Sequence, residues 1–280
     1  MHDMIVYIVG HKGWIGGLFM KCLQEHDVVY SDYRAESSEI KQDIVDKHAT
    51  HVLYCAGRTS GGLYKTIDYL EDPSTLRENL NDNLYGPMTM ALFCQQQNIH
   101  FTYIGTGCIY TYDTEHTPEN QKGFTEKDAP NFFGSNYSIV KGFTDLLLQQ
   151  TNALSLRIRM PMTDEEHAKS FTTKLVSYKK IHSVLNSMTN LDVMIPIAIR
   201  MMENKEHGTY NFTNVNATHD ELLEAYKRDK NSEHTWELVE GNALDVKAKR
   251  SNTLLDTRKL NEYLAIQHMV NASIQKILFP

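Results

Sequence analysis

The feature that most constrains the fold is a strand-length apolar run that ends in a glycine turn. Met4-Ile5-Val6-Tyr7-Ile8-Val9 leads straight into Gly10-His11-Lys12-Gly13-Trp14-Ile15-Gly16. Residues 14–24, which follow, have the length and apolar spacing of a helix. Glycines between a strand and a helix allow a tight turn and close approach of backbone to a ligand, so a pyrophosphate can rest on the helix N-terminus. The spacing is GxxGxxG rather than GxGxxG. Alone, such a turn also suits an ordinary strand–helix connection.

The rest of the first half repeats the alternation. Residues 27–30, 51–55, 101–104 and 155–159 read as strands, and 75–97 and 135–150 as helices. Strands alternating with helices predict right-handed crossovers and a Rossmann-type α/β fold, a doubly wound parallel sheet covered on both faces. The second half is less regular. A polar loop leading into a helix is expected over 164–180, a helix over 191–203, a short strand over 209–212, and a helix over 219–227 capped by Thr218. The expected division is a dinucleotide-binding domain over 1–159, completed by 189–215. A smaller C-terminal substrate-binding lobe would comprise 160–188 and 216–280.

Bulk properties exclude several classes. The net charge of −7 gives no field for nucleic acid or an anionic membrane. No stretch of about 18 apolar residues exists to span a bilayer. The opening apolar run is short and ends in glycine, so it reads as a strand rather than a signal peptide. Cys22, Cys55, Cys94 and Cys108 form no CxxC pair, so neither a metal site nor a disulfide scaffold is expected. A cytoplasmic location follows as the simplest expectation.

Ligands of such sheets bind beyond the carboxyl ends of the strands. Gly10, the stretch from Cys55 through Ala56 and Gly57 to Thr59, Thr106 to Cys108, and Met160 all fall there. With Lys12, Gly13, Trp14, Ile15 and Gly16 they form the expected cofactor site. Lys12 and Arg34 could hold a ribose 2′-phosphate, whereas Asp32 could accept from a free ribose hydroxyl. The balance favours NADPH, with NADH as the alternative. Asp43 is a candidate for the adenine.

Tyr137-Ser-Ile-Val-Lys141 places a phenol and an ammonium on one helix face. A nearby cation favours phenolate and would lower the tyrosine from its ordinary value of about 10. Such a tyrosine can move a proton near neutral pH. Thr106, at the end of a strand, could donate to the carbonyl oxygen that Tyr137 protonates. Asn83 could hold a water beside Lys141.

These motifs, with Cys55-Ala56-Gly57, resemble the extended short-chain dehydrogenases that act on nucleotide sugars. Within them the chain is similar to dTDP-4-dehydrorhamnose reductases, and more so to the bifunctional 3,5-epimerase/4-reductases that make UDP-rhamnose. Segments carrying the closer resemblance are Thr106-Gly-Cys-Ile-Tyr, Phe124-Thr-Glu-Lys-Asp-Ala-Pro, Leu156-Arg-Ile-Arg-Met-Pro, Asn186-Ser-Met-Thr, Gly208-Thr-Tyr-Asn-Phe-Thr-Asn and Arg250-Ser-Asn. Arg58-Thr-Ser-Gly-Gly-Leu-Tyr-Lys is a departure, longer than the family's loop there.

The resemblance implies UDP-4-keto-6-deoxyglucose as substrate, inversion at C3 and C5, and reduction of C4. Cys108 is then a candidate proton carrier and Lys174 the group opposing it, or else a phosphate ligand. Thr106, Gly107, Cys108, Glu126, Asn186, Arg250 and Asn252 are candidate substrate contacts, with Arg250 on the diphosphate. Asp68 is a further pocket candidate. A homodimer is a mild expectation. The alternatives are a 4-reductase alone, another sugar epimerase or dehydratase, and a non-catalytic NADP-binding sensor. Gly107 and Cys108 stand where dehydratases usually carry acidic residues, which argues against dehydration.

Overall fold

The computed structural model describes residues 4–241 and 246–278. Of the segment expected to end the smaller lobe, 242–245 and 279–280 therefore lie outside the described residues. In chain order the elements of the first half are β1 (Ile5–Val9), α1 (Trp14–Cys22), β2 (Asp27–Val29), α2 (Ser38–Asp46), β3 (His51–Tyr54), α3 (Leu76–Leu80), α4 (Gly86–Gln96), β4 (His100–Thr106), α5 (Asn136–Leu148) and β5 (Leu154–Ile158). The second half adds α6 (Phe171–Ser177), β6 (Lys180–Ile181), β7 (Asn186–Met188), α7 (Leu191–Glu203), β8 (Gly208–Asn211), β9 (Val215–Ala217), α8 (His219–Asp229), β10 (Glu237–Leu238) and α9 (Arg258–Leu278).

Six strands form one sheet in the order β2-β1-β3-β4-β5-β8, and every pairing is parallel. The reason is visible in the strands: β3 and β5 are buried at every position, as strands covered on both faces must be. One cover brings Phe19 of α1 and Met194, Ile195, Ala198 and Met202 of α7 against Val6, Ile8 and Leu156. The other brings Ile40 and Ile44 of α2 and Met90, Ala91 and Cys94 of α4 against Tyr7, Val52 and Phe101. This is the expected doubly wound architecture. Leu260 and Tyr263, at the start of α9, join the first cover, so part of the segment assigned to the smaller lobe packs on the sheet.

In the first half three elements differ from expectation, and in the second β6, β7, β9, β10 and α9 were not anticipated. α2 was not legible: its mean hydropathy is low, only Ile40 and Ile44 are buried, and its start depends on Ser37 accepting from the Ile40 N–H. The helix expected over 75–97 is broken, because Asn81–Tyr85 forms a wider turn in which the Gly86 N–H returns to the Asn81 carbonyl. β4 runs two residues past the expected end, which makes Thr106 its last residue.

The sheet's carboxyl edge is covered by short pieces. β7 pairs antiparallel with β9, and β6 pairs parallel with β10. α6 and α8 meet through Leu175, Ile181 and Leu223. α8 opens with a reciprocal cap between Thr218 and Glu221, as a Thr followed three residues later by Glu favours. Among the described residues no helix is long and apolar enough to cross a membrane.

Candidate active site

The glycine turn is forced by contact. Gly10 has φ +91°, and a Cβ there would stand 2.7 Å from the Ala56 backbone nitrogen. A Cβ on Gly16 would stand 2.4 Å from the Gly10 carbonyl oxygen. Only glycine allows β1, the 55–57 loop and α1 to approach so closely. Gly13 precedes α1 without a side-chain cap, and the first turn holds no acidic residue. The helix therefore presents free N–H groups and the positive end of its dipole, a fitting cradle for a pyrophosphate.

The charges beside this turn are paired. Lys12 lies 2.6 Å from Asp32, both well exposed. Arg34 is held by Glu36 at 2.6 Å and Asp82 at 3.1 Å. A 2′-phosphate at either cation would have to displace a carboxylate. Asp43 accepts from the Tyr7 hydroxyl at 2.5 Å and from Lys47 at 2.8 Å. It anchors α2 to β1 through one carboxylate oxygen, and the adenine contact stays a proposal for the other. Trp14 stacks on His167 with ring centroids 5.0 Å apart, tying the start of α1 to the 163–170 loop. Thr59 is exposed, and Cys55 and Ile15 are partly buried. Met160, directly after β5, has φ +39°, a strained conformation that tends to cluster at ligand sites.

Asn83 sits in the wider turn, fully buried. Its amide accepts from the Arg58 N–H at 3.0 Å, donates to the Arg58 carbonyl at 2.9 Å, and donates to Asn79 at 2.8 Å. Both ends have partners within the chain, and the oxygen keeps one lone pair, so a water at that oxygen remains a proposal. Asn83 clamps the 57–58 loop.

Thr106, Cys108, Tyr137 and Lys141 converge. The Cys108 N–H donates to the Thr106 hydroxyl at 3.0 Å, curling the turn after β4. Burial pushes the Tyr137 phenol up, a negative charge on Cys108 would push it further, and the Thr106 hydroxyl pulls the other way. Burial brings Lys141 down to about 8, with Asp145 and Cys108 opposing. The expected lowering of Tyr137 by Lys141 does not hold in this state. Burial dominates, and the Lys141 ammonium donates to the Tyr103 hydroxyl. Tyr103, on β4 and fully buried, was missed by sequence reasoning; an apolar-looking strand position gives no signal of such a partner.

The second cluster lies at the smaller lobe. Arg250 pairs with Asp68 at 3.0 Å, and Asp68 also accepts from the Ala248 N–H at 2.8 Å. Asp68 thus orients Arg250. Lys174, on α6, is lowered by burial and then by the charges of Lys169 and Arg250. Its charged neighbours thus include Lys169 and Arg250.

Two substrate candidates have partners within the chain. Asn186 is fully buried. Its oxygen accepts from Arg159 at 2.8 Å and from the Thr253 N–H at 2.9 Å, while its nitrogen donates to the Val184 carbonyl and to Asn252. Glu126 accepts from the Asn211 N–H of β8 at 2.9 Å. The Asn186 amide is filled within the chain, which corrects it from ligand contact to brace, whereas Glu126 braces β8 through one carboxylate oxygen and keeps the other. Gly107 stays tight for another reason: a Cβ would meet Leu255 at 2.5 Å and the Arg159 stem at 2.9 Å.

Comparison with known proteins extends this picture. No protein-family model matches the chain. Protein L780 of Acanthamoeba polyphaga mimivirus is 47% identical over 261 residues, 90% of each chain. The crystal structure of that protein, described as a UDP-rhamnose synthase, superposes with TM-score 0.89 over 93% of both chains. A bifunctional dTDP-4-dehydrorhamnose 3,5-epimerase/reductase of Arabidopsis thaliana is 34% identical over 280 residues, 97% of this chain and 91% of its own. The trifunctional UDP-glucose 4,6-dehydratase/3,5-epimerase/reductase RHM1 of the same plant is 36% identical over 263 residues, and the match covers 39% of its length. With Thr106, Tyr137 and Lys141 gathered at one strand edge, the chain belongs to the rhamnose-forming epimerase–reductase family of the short-chain dehydrogenase/reductase superfamily.

Proposed function

We propose that the chain turns UDP-4-keto-6-deoxyglucose into UDP-L-rhamnose, inverting C3 and C5 and then reducing C4 at the expense of NADPH. The observation that carries this reading is the turn after β4, which sets Cys108 beside Tyr137 and Lys141. A thiol there is superfluous for reduction alone. The Arabidopsis thaliana relatives are named for both activities.

The residues divide the chemistry as follows. Gly10, Gly13 and Gly16 would hold the pyrophosphate at the start of α1, and Lys12, Arg34 and Met160 would contribute to the rest of the dinucleotide site. When bound, the dinucleotide supplies the hydride for C4. Protons at C3 and C5 are acidic because both carbons flank the C4 carbonyl. Cys108 removes such a proton, and a group on the opposite face returns one with inversion; Lys174 is our candidate for that group. Its neighbourhood with Arg250 equally suits a diphosphate ligand. Tyr137 stays protonated because burial raises it, so it can hand its proton to the C4 oxygen as that oxygen becomes a hydroxyl. Thr106 holds the same oxygen. Lys141, which donates to Tyr103, would hold the cofactor ribose and the Tyr137 hydroxyl. Arg250, oriented by Asp68, takes the diphosphate, and Asn252 lies next to it.

A homodimer belongs to the same proposal: α4 and α5 leave Leu92, Phe143 and Leu147 exposed, apolar surface suited to a second copy. The test of function is NMR of UDP-4-keto-6-deoxyglucose with NADPH in deuterated water. The expected result is UDP-rhamnose with deuterium at C3 and C5. Cys108→Ala should abolish that exchange yet reduce an already epimerised ketosugar. Unchanged substrate with NADPH unconsumed sinks the reading; exchange at the wild-type rate in Cys108→Ala removes the thiol from it.

A further inference from the structure

Two arginines stand two residues apart at the end of β5, and both are fully buried. Arg157 has a carboxylate, with two bonds to Asp145 at 2.8 and 2.7 Å. Arg159 has none: among the described residues its guanidinium meets only neutral acceptors. A buried charge without a counter-ion is costly unless its surroundings hold it firmly.

Those surroundings include the segment directly after Arg250, the residue read above as the diphosphate ligand. The guanidinium donates at 2.8 Å to each of the Thr253 carbonyl, the Ser251 carbonyl and the Asn186 side-chain oxygen. Ser251 in turn donates through its hydroxyl to the Tyr110 carbonyl at 2.6 Å. The Arg159 stem lies beneath Gly107, where a Cβ would stand 2.9 and 3.0 Å from Cγ and Cδ. Nε, bonded to that same Cδ, is buried and has no acceptor. One side chain thus joins the turn bearing Cys108, the edge of β7 and the 251–253 segment.

We propose that Arg159 is a positioning residue for the nucleotide-sugar: it holds 251–253, and through it Arg250 and Asn252, in register with the Cys108 turn, and it leaves one positive charge uncompensated beneath a site that takes a diphosphate anion. The inference rests on the reading of Arg250 as the diphosphate ligand. The adenine side of the cofactor site, built on β1, α1 and the 55–57 loop, shares no hydrogen bond with Arg159 among the described residues.

The test uses the full chain with Arg159→Lys, which keeps the charge but loses the fork, and Arg159→Met, which loses both. UDP affinity is measured by calorimetry and NADPH affinity by fluorescence. Losing charged hydrogen bonds to 251–253 should weaken UDP by about tenfold in Arg159→Lys and by more in Arg159→Met. NADPH binding should stay within about threefold, and in turnover KM for the sugar should rise more than kcat falls. A folded Arg159→Lys that binds UDP like the wild type overturns the proposal. So does an equal loss for both ligands, which would mark a scaffold residue. If both variants fail to fold, Ser251→Ala decides: weaker UDP with unchanged NADPH supports the proposal, and unchanged UDP overturns it. A wild-type chain that binds neither UDP nor dTDP overturns the functional reading itself, a result separate from these.

Discussion

The two ends of the cleft are built in opposite ways. At the cofactor end, backbone meets backbone: Gly10 against Ala56, Gly16 against Gly10. At the sugar end, side chains tie together segments that have little regular structure: Asn186 and Arg159 on β7 and 251–253, Asp68 on Arg250. The first design tolerates almost no side chain, and the second depends on particular side chains. Damage at one end should therefore be separable from damage at the other.

The largest effect is expected from breaking the cofactor end. Gly10→Val combines a positive φ with overlap against backbone that cannot move aside, and should cost more than about 4 kcal/mol. Thermal denaturation should show a chain unfolded or nearly so; a folded variant that binds NADPH normally would refute the close-approach argument. Next comes Asn186→Ala, which removes four hydrogen bonds, one of them from the buried Arg159 guanidinium. A loss of about 2–4 kcal/mol is expected, with weaker UDP binding in the folded fraction and NADPH retained. Equal weakening of both ligands would dissolve the distinction between the ends.

The third prediction concerns the opposite edge of the sheet, which belongs to neither end. Burial holds His51 and His100 at about 4, well below their ordinary 6.5. The unfolded chain then binds more protons than the folded one between those values, so stability is full above about pH 6.5 and falls as pH drops toward 4. The loss should reach about 2–3 kcal/mol per ring. Denaturant titrations at pH 7 and pH 5 check it, and a flat stability over that range would exclude it. The smallest effect is at the surface pair Lys12–Asp32. Asp32→Ala should free Lys12 and tighten NADPH by about threefold over NADH; tighter NADH instead would place the ribose hydroxyl on Asp32.

The same contrast explains what could be read from sequence. Close backbone approach leaves glycines, and one helix face leaves i, i+4 spacing, so the turn and the Tyr137–Lys141 pair were legible, as was the parallel sheet. Side-chain networks leave no local pattern. Asn186 looked like a ligand because it is a polar residue in a family-like segment, yet its amide is filled by partners within the chain. Tyr103 and Arg159 went unassigned because a strand at the sheet's centre looks apolar wherever its partners come from far along the chain. α2 was missed because two buried isoleucines four residues apart make too thin a stripe to stand out.

The wider turn at Asn81–Tyr85 bears on how this protein can change by insertion and deletion. A regular helix advances by about 100° per residue. Deleting one residue there would let α3 run smoothly into α4, and local helix propensity would favour it. The cost would fall on phase: with α4 fixed on the sheet by Met90, Ala91 and Cys94, everything before the deletion would swing by that angle. Asn79, which donates to the Asn136 carbonyl beside Tyr137, would leave its partner. Length variants at this turn should therefore be selected against even though they improve the helix.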